Sequence, residues 1–238
     1  MTRLTARTLL ALAATALMSS AALAAPAATA AKAGLQASKL TKAEKAAKSF
    51  AVDPDKVLWD QYGDGNADGA ISQQFVGDSS YDSEAADDFL VPVGGVWQVS
   101  KVLARGILTN EATVPSAVVV SFYDKKKTLI STQTATAIEV TGPSLRITLP
   151  SNVRLTGGAK KPGRYWMSVV PVMSDTEGQW YWQTMNIGNG MAALWRNPGN
   201  GFGTDCTSFD TLGKCVGIEG ANKAELRFQV IGNDRTSE

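Results

Sequence analysis

The residues with the clearest metal-binding pattern lie in "GDGNADGAISQQF" (residues 63–75), where Asp64, Asn66 and Asp68 alternate ahead of Gly69 and Ile71. That spelling resembles the start of a calcium loop. An EF-hand loop also needs a bidentate Glu at its twelfth position and a helix on each side. Counted from Asp64, position twelve is Phe75, and the flanks "VLWDQY" and "AISQQF" read as strand. The stretch is therefore not an EF-hand. Two readings stand: an exposed acidic Asx-turn loop, which is preferred, or a calcium site in which a distant carboxylate such as Asp87 joins Asp64, Asn66 and Asp68. Calcium is the sole cofactor considered, and none is expected.

Other candidate chemistry is bounded by an absence, for the chain contains no histidine. This excludes Ser-His-Asp and Cys-His nucleophile systems and His-containing zinc sites. "FVGDSS" (75–80) spells the nucleophile block of a GDS-type esterase with Ser79 as nucleophile, but the histidine base that block requires is missing. "NPGNGFG" (197–203) is glycine-rich like a phosphate loop, yet it lacks the lysine and following helix of one, and reads as a turn system. Asp87 and Asp88 in "AADD" are neighbours on a strand, so their side chains point to opposite faces and are not expected to act as a dyad. A glycosidase pair would have to be assembled from distant carboxylates, and nothing singles one out. No catalytic residue is assigned.

The aromatic residues carry a different chemistry. Trp180, Tyr181 and Trp182 stand in a row, and Trp195 and Phe202 follow in a Gly/Asn-rich stretch. On a strand Trp180 and Trp182 share one face. If that face is exposed, Trp180, Trp182, Trp195 and Phe202 form a platform suited to the apolar faces of sugars. If it faces the core, they are packing residues.

The elements that must position these groups are strands. Residues 116–124, 144–150, 163–172, 179–185 and 224–232 are β-branched or aromatic runs separated by Gly, Pro, Asn and Asp. "DFLVP" and "VWQVSKVLARGIL" add two more. No amphipathic helix is evident after residue 51. The expected fold is all-β, an antiparallel β-sandwich of jelly-roll type. In that fold Phe89, Val91 and Trp97 face the core, and one of Asp87 and Asp88 is half-buried as a structural carboxylate, bonded to backbone N–H groups or to an arginine such as Arg105 or Arg227.

Ahead of this body, residues 1–24 combine Arg3 and Arg7 with an apolar run and an Ala22-Leu23-Ala24 end, the pattern of a secretory signal peptide. Residues 25–50 are Ala/Lys-rich and read as a flexible basic spacer. The expected domain is 51–238. Its net charge is −5, and ten carboxylates against one lysine fall between Asp53 and Asp88. Nucleic acid is not an expected partner, and no apolar stretch suits a membrane-spanning helix. In an exported chain Cys206 and Cys215 are expected to form a disulfide, which stabilises by roughly 2–3 kcal/mol on chain-entropy grounds.

Taken together, "LWDQYGDG", "YDSEAADDFLVP" with "GGVWQV", "GRYWMSVVPVM" with "GQWYWQT", and "ALWRNPGNGFGTDC" closing on "FQVIG" resemble a domain of many secreted bacterial proteins that is usually met without an assigned activity. The resemblance spans roughly residues 57–232. It implies a β-sandwich in an extracellular or periplasmic setting, and it implies no reaction. Two functions follow as expectations: a non-catalytic module that binds carbohydrate or another envelope or matrix polymer, or a structural or adhesive surface protein. A histidine-free hydrolase is a distant third.

Overall fold

A computed structural model describes residues 56–109, 114–185, 190–217 and 223–235. The signal-peptide and spacer readings lie outside the described residues. In chain order the strands are β1 (Lys56–Gln61), β2 (Gly69–Ile71), β3 (Gln74–Phe75), β4 (Glu84–Val91), β5 (Val96–Leu108), β6 (Ala117–Asp124), β7 (Leu129–Ala135) and β8 (Ile138–Thr141). They continue as β9 (Ser144–Thr156), β10 (Gly163–Met173), β11 (Trp180–Met185), β12 (Leu194–Arg196), β13 (Asp210–Thr211), β14 (Glu225–Leu226) and β15 (Phe228–Asp234). Among the described residues one short α-helix, α1 (Leu212–Val216), follows β13.

The strands form two sheets. One runs β1-β15-β5-β11-β14, with β2 beside β11 and β9 joining β5 to β8. The other runs β13-β12-β4-β10-β6-β7, with β3 paired in parallel to the end of β10. The remaining pairings are antiparallel, and the two sheets enclose one apolar core, an all-β sandwich. β5 alternates on each side of an irregularity at Ser100–Lys101, with Trp97, Val99, Val102, Ala104 and Leu108 inward. That alternation is what a strand with one solvated face must show.

Ring packing across the core ties the sheets together. Phe89 of β4 lies parallel to Trp97 of β5 with centroids 6.1 Å apart, and meets Phe228 of β15 edge-on at 6.3 Å. Phe122 of β6 contacts it from its own sheet at 6.4 Å. The disulfide joins Cys206 and Cys215 across a Cα–Cα distance of 5.7 Å and anchors α1 to the loop after β12.

The strands that sequence periodicity misses are the polar ones. "LISTQTA" (β7) has a largely exposed burial pattern because it is the edge of its sheet. Its single buried residue, Ala135, gives too little apolar signal to mark it.

Replacing Phe89 by Ala removes a ring with contacts in both sheets. Urea denaturation is expected to show a loss of about 3–5 kcal/mol, the range for emptying a buried phenylalanine site.

Candidate functional site

The tryptophans do not form an exposed platform. Trp180 and Trp182 are fully buried, and Trp195 is 1 % exposed. Their indole N–H groups donate inward, Trp180 to the Pro143 carbonyl (3.3 Å), Trp182 to that of Arg227 (2.9 Å) and Trp195 to that of Ile71 (2.7 Å). The shared face of Trp180 and Trp182 is thus the core face, the alternative that alternation alone left open. A Cβ at Gly106 would sit 1.9 Å from the Trp180 nitrogen, so the sheet is shaped around that ring.

Phe202 has a different position. It meets Tyr81 edge-on at 5.2 Å, Phe75 at 6.4 Å and Trp195 at 6.0 Å. Two short segments create this cluster. After β3 the chain turns through Gly77 (φ 110°) into a 3-10 turn, Ser79–Tyr81. Asp78 caps that turn, accepting from the Ser80 backbone N–H (3.0 Å) and hydroxyl (2.6 Å). These bonds hold the Asp78 carboxyl below the usual carboxylate range. Ser79, the decoy nucleophile, is simply the first residue of the capped turn.

The "NPGNGFG" stretch then lies against the same turn. Buried Asn197 donates to the carbonyls of Ser80 (2.7 Å) and Asp82 (2.8 Å), and its own carbonyl oxygen accepts from Phe202 N–H (3.0 Å). Gly201 N–H reaches the Ser80 carbonyl at 2.8 Å. A Cβ at Gly199 or Gly201 would lie 2.5–2.7 Å from Ser80 backbone atoms, so this close approach requires glycine.

Between these segments is a cleft of about 440 Å³, lined by Phe75, Tyr81 and Phe202 with Asp78, Asp175 and Gln179 among its polar residues. Tyr81 is 40 % exposed. Asp175 opens a second capped turn, Asp175–Glu177, and Gln179 accepts from the Tyr181 hydroxyl (2.6 Å). Concavity, aromatic faces and a few convergent polar groups are the ordinary ingredients of a ligand site. Of the expected aromatic set, Phe202 alone lines this cleft. Phe75 and Tyr81 were missed because no pattern within "QQFVGDSSYD" shows that "NPGNGFG" folds over it.

The carboxylates assemble elsewhere. Asp87 and Asp88 are both buried, rather than one of them half-buried, and with Glu225 they place oxygens within 4.8 Å of one another. Asp87 accepts from Leu226 N–H (2.5 Å), Gln61 Nε2 (2.8 Å) and Asp88 N–H (2.9 Å). Gln61 Nε2 also lies 3.0 Å from Glu225 Oε2. Asp87 belongs to one sheet, and Gln61, Glu225 and Leu226 belong to the other. Asp88 pairs with Arg164 and accepts from Met191 N–H at 2.6 Å.

The suggested partners Arg105 and Arg227 are engaged differently. Arg105 donates to Ser144 Oγ (3.1 Å), and Arg227 donates to Gln183 Oε1 (2.6 Å) and lies over the Tyr62 ring. The registers explain the exchange. β4 runs beside β10, which sets Arg164 opposite Leu90 and Trp166 opposite Asp88 on the outer face.

Asp64 and Asp68 are exposed on their loop, and Asp87 sits in the buried cluster instead of joining them. The Asn66 carbonyl accepts from Gln183 Nε2 (2.6 Å), and that of Asp68 accepts from Thr184 N–H (2.9 Å). The loop is thus laced to β11 by its backbone.

The chain matches no known protein family, and no curated protein matches it.

Burial pushes Asp87 well above the usual carboxylate range, with the Glu225 charge the next cause and the Leu226 N–H bond opposing both. Asp88 is also raised, chiefly by burial, while Met191 N–H and Arg164 restrain it. A carboxyl raised on folding holds its proton more tightly when folded. Its stabilising contribution is complete below the unfolded value near 3.9 and is lost as pH climbs through the folded one. Wild-type stability minus that of Asp87→Asn should therefore fall as pH rises above about 4, measured by denaturant titration of both proteins. A difference that rises with pH contradicts the assignment.

Proposed function

We propose that the protein is a secreted, non-catalytic binding module for carbohydrate or a similar hydroxylated envelope or matrix polymer. The cleft between the 75–81 turn and the 197–203 loop is its binding site. The observation that carries this reading is the half-exposed Tyr81 ring beside Phe202 in a concavity that also holds Asp78, Asp175 and Gln179. A pyranose has apolar C–H faces that pack on aromatic rings and a rim of hydroxyls that bond carboxylates and amides. A volume of about 440 Å³ lies within the range of small-molecule sites. The signal-like start of the sequence and the Cys206–Cys215 bond support export.

A structural or adhesive role is the second reading, and the burial of Trp180, Trp182 and Trp195 favours it. Those residues fill the sandwich and offer nothing to a ligand.

A glycan array probed with the mature protein separates the two readings. The binding proposal expects a defined set of oligosaccharides to be retained. Tyr81→Ala should weaken the best of them by about tenfold or more, the loss of one aromatic contact of ~1.5 kcal/mol, without lowering Tm much because Tyr81 is exposed. Retention of no glycan, or equal retention by Tyr81→Ala, favours the structural role.

A further inference from the structure

The outer face of the β1-β15-β5-β11-β14 sheet carries a second cavity, of about 290 Å³, remote in chemistry from the aromatic cleft. Its character is set by register. Arg105 of β5 stands opposite Ser144 of β9, and Leu103 stands opposite Arg146, so both guanidinium groups emerge on one face two residues apart. On the other side of β9, Thr141 of β8 faces Ser144 and Glu139 faces Arg146. Tyr62, just past β1, closes the cavity with its hydroxyl 2.8 Å from Ser144 Oγ.

Arg227 holds that tyrosine in place. Its NH2 group donates to the Tyr62 carbonyl (2.8 Å), and its guanidinium carbon lies 4.9 Å from the ring centroid. The hydroxyls of Tyr62, Thr141 and Ser144 and the guanidinium groups of Arg105 and Arg146 therefore converge from three strands and a loop.

The cations here are poorly compensated. Among the described residues no carboxylate forms a salt bridge with Arg105. Its guanidinium donates to the neutral Ser144 hydroxyl, and its Nε is buried with no acceptor. A buried guanidinium N–H without an acceptor is an unfavourable state that most proteins avoid. Arg146 has Glu139 at 4.0 Å, and both side chains are well exposed, so water screens that pair and it holds the guanidinium loosely. The domain as a whole is acidic, which makes two arginines sharing one weakly placed carboxylate on a sheet face more notable.

We propose that this cavity binds an oxyanion group, a sulfate, phosphate ester or carboxylate carried on a hydroxylated molecule. Guanidinium donors match such a group in planar, paired geometry, and the three hydroxyls suit the atoms beside it. Glu139 is the group that opposes the ligand's charge, and it swings off Arg146 when the anion enters. This site does not depend on the aromatic cleft, and the two can fail separately.

The test is calorimetric titration at constant ionic strength with sulfated, phosphorylated, uronic-acid and neutral forms of one disaccharide. It is run on the parent and on Tyr81→Ala, in which cleft binding is weakened. The expected result is binding of at least one anionic form by both proteins, with the neutral form binding Tyr81→Ala more weakly. The anionic arm that binds best identifies the source of the oxyanion. Arg146→Gln, a change at an exposed position, should lower anionic affinity about tenfold, and Glu139→Gln should raise it. Tyr62→Phe removes the hydroxyl alone and should weaken binding less than Arg146→Gln does. Binding of no anionic form overturns the proposal, as does anionic affinity that Arg146→Gln and Glu139→Gln both leave unchanged.

Discussion

A carboxylate set between two sheets cannot remain an isolated charge. It must collect donors, keep a proton, or do both. Asp87 is in that position, and much of the architecture at its end of the sandwich answers to it. Leu226 presents a backbone N–H, Gln61 presents its amide, and Glu225 stands close enough that two full negative charges would repel without water to screen them. Burial and the Glu225 charge together make Asp87 hold its proton more tightly than a free aspartate does, which relieves that repulsion. The result is a polar cross-link from β4 to β1 and β14, beside the apolar contacts that Phe89 makes two residues further along the same face of β4.

This constraint also explains why the most conspicuous residues of the sequence are not surface groups. The "AADDFLVP" run alternates between the interior, where Ala85, Asp87, Phe89 and Val91 lie, and the outer face, where Asp88 meets Arg164 beside Trp166. The tryptophans of "QWYWQT" and "ALWRN" are consumed by the core in the same way. Surface chemistry is left to the Asp78-capped turn under Phe202 and to the strand-borne arginines on the outer face of the other sheet. In both, rigid backbone features position side chains that the core does not need.

Legibility in the sequence divides along the same line. Strands β5, β6, β10 and β11 announce themselves because β-branched, aromatic and other apolar residues dominate them over six or more positions. The disulfide is legible from the signal-like start together with a lone cysteine pair. The partner of Asp88 is not, because Arg164 and Arg105 are equivalent until the β4–β10 register is known, and a register joining residues 76 positions apart leaves no local trace. Glu225 did leave one: a carboxylate inside the apolar run "AELRFQVIG" is out of place unless something buried answers it. Which face of Trp180 and Trp182 is the core face was likewise undecidable, since period-two alternation fixes that they agree and not where they point.

The central claim is that Asp87, buried between the sheets beside Glu225, holds its proton more tightly in the folded protein than in the unfolded chain and joins the sheets through its hydrogen bonds. Carbon-13 NMR of the aspartate side-chain carboxyls, followed through a pH titration and assigned with Asp87→Asn, observes that proton directly. The account predicts an Asp87 carboxyl resonance that titrates well above the usual aspartate range near 3.9. An Asp87 resonance that titrates at or below that range would contradict it.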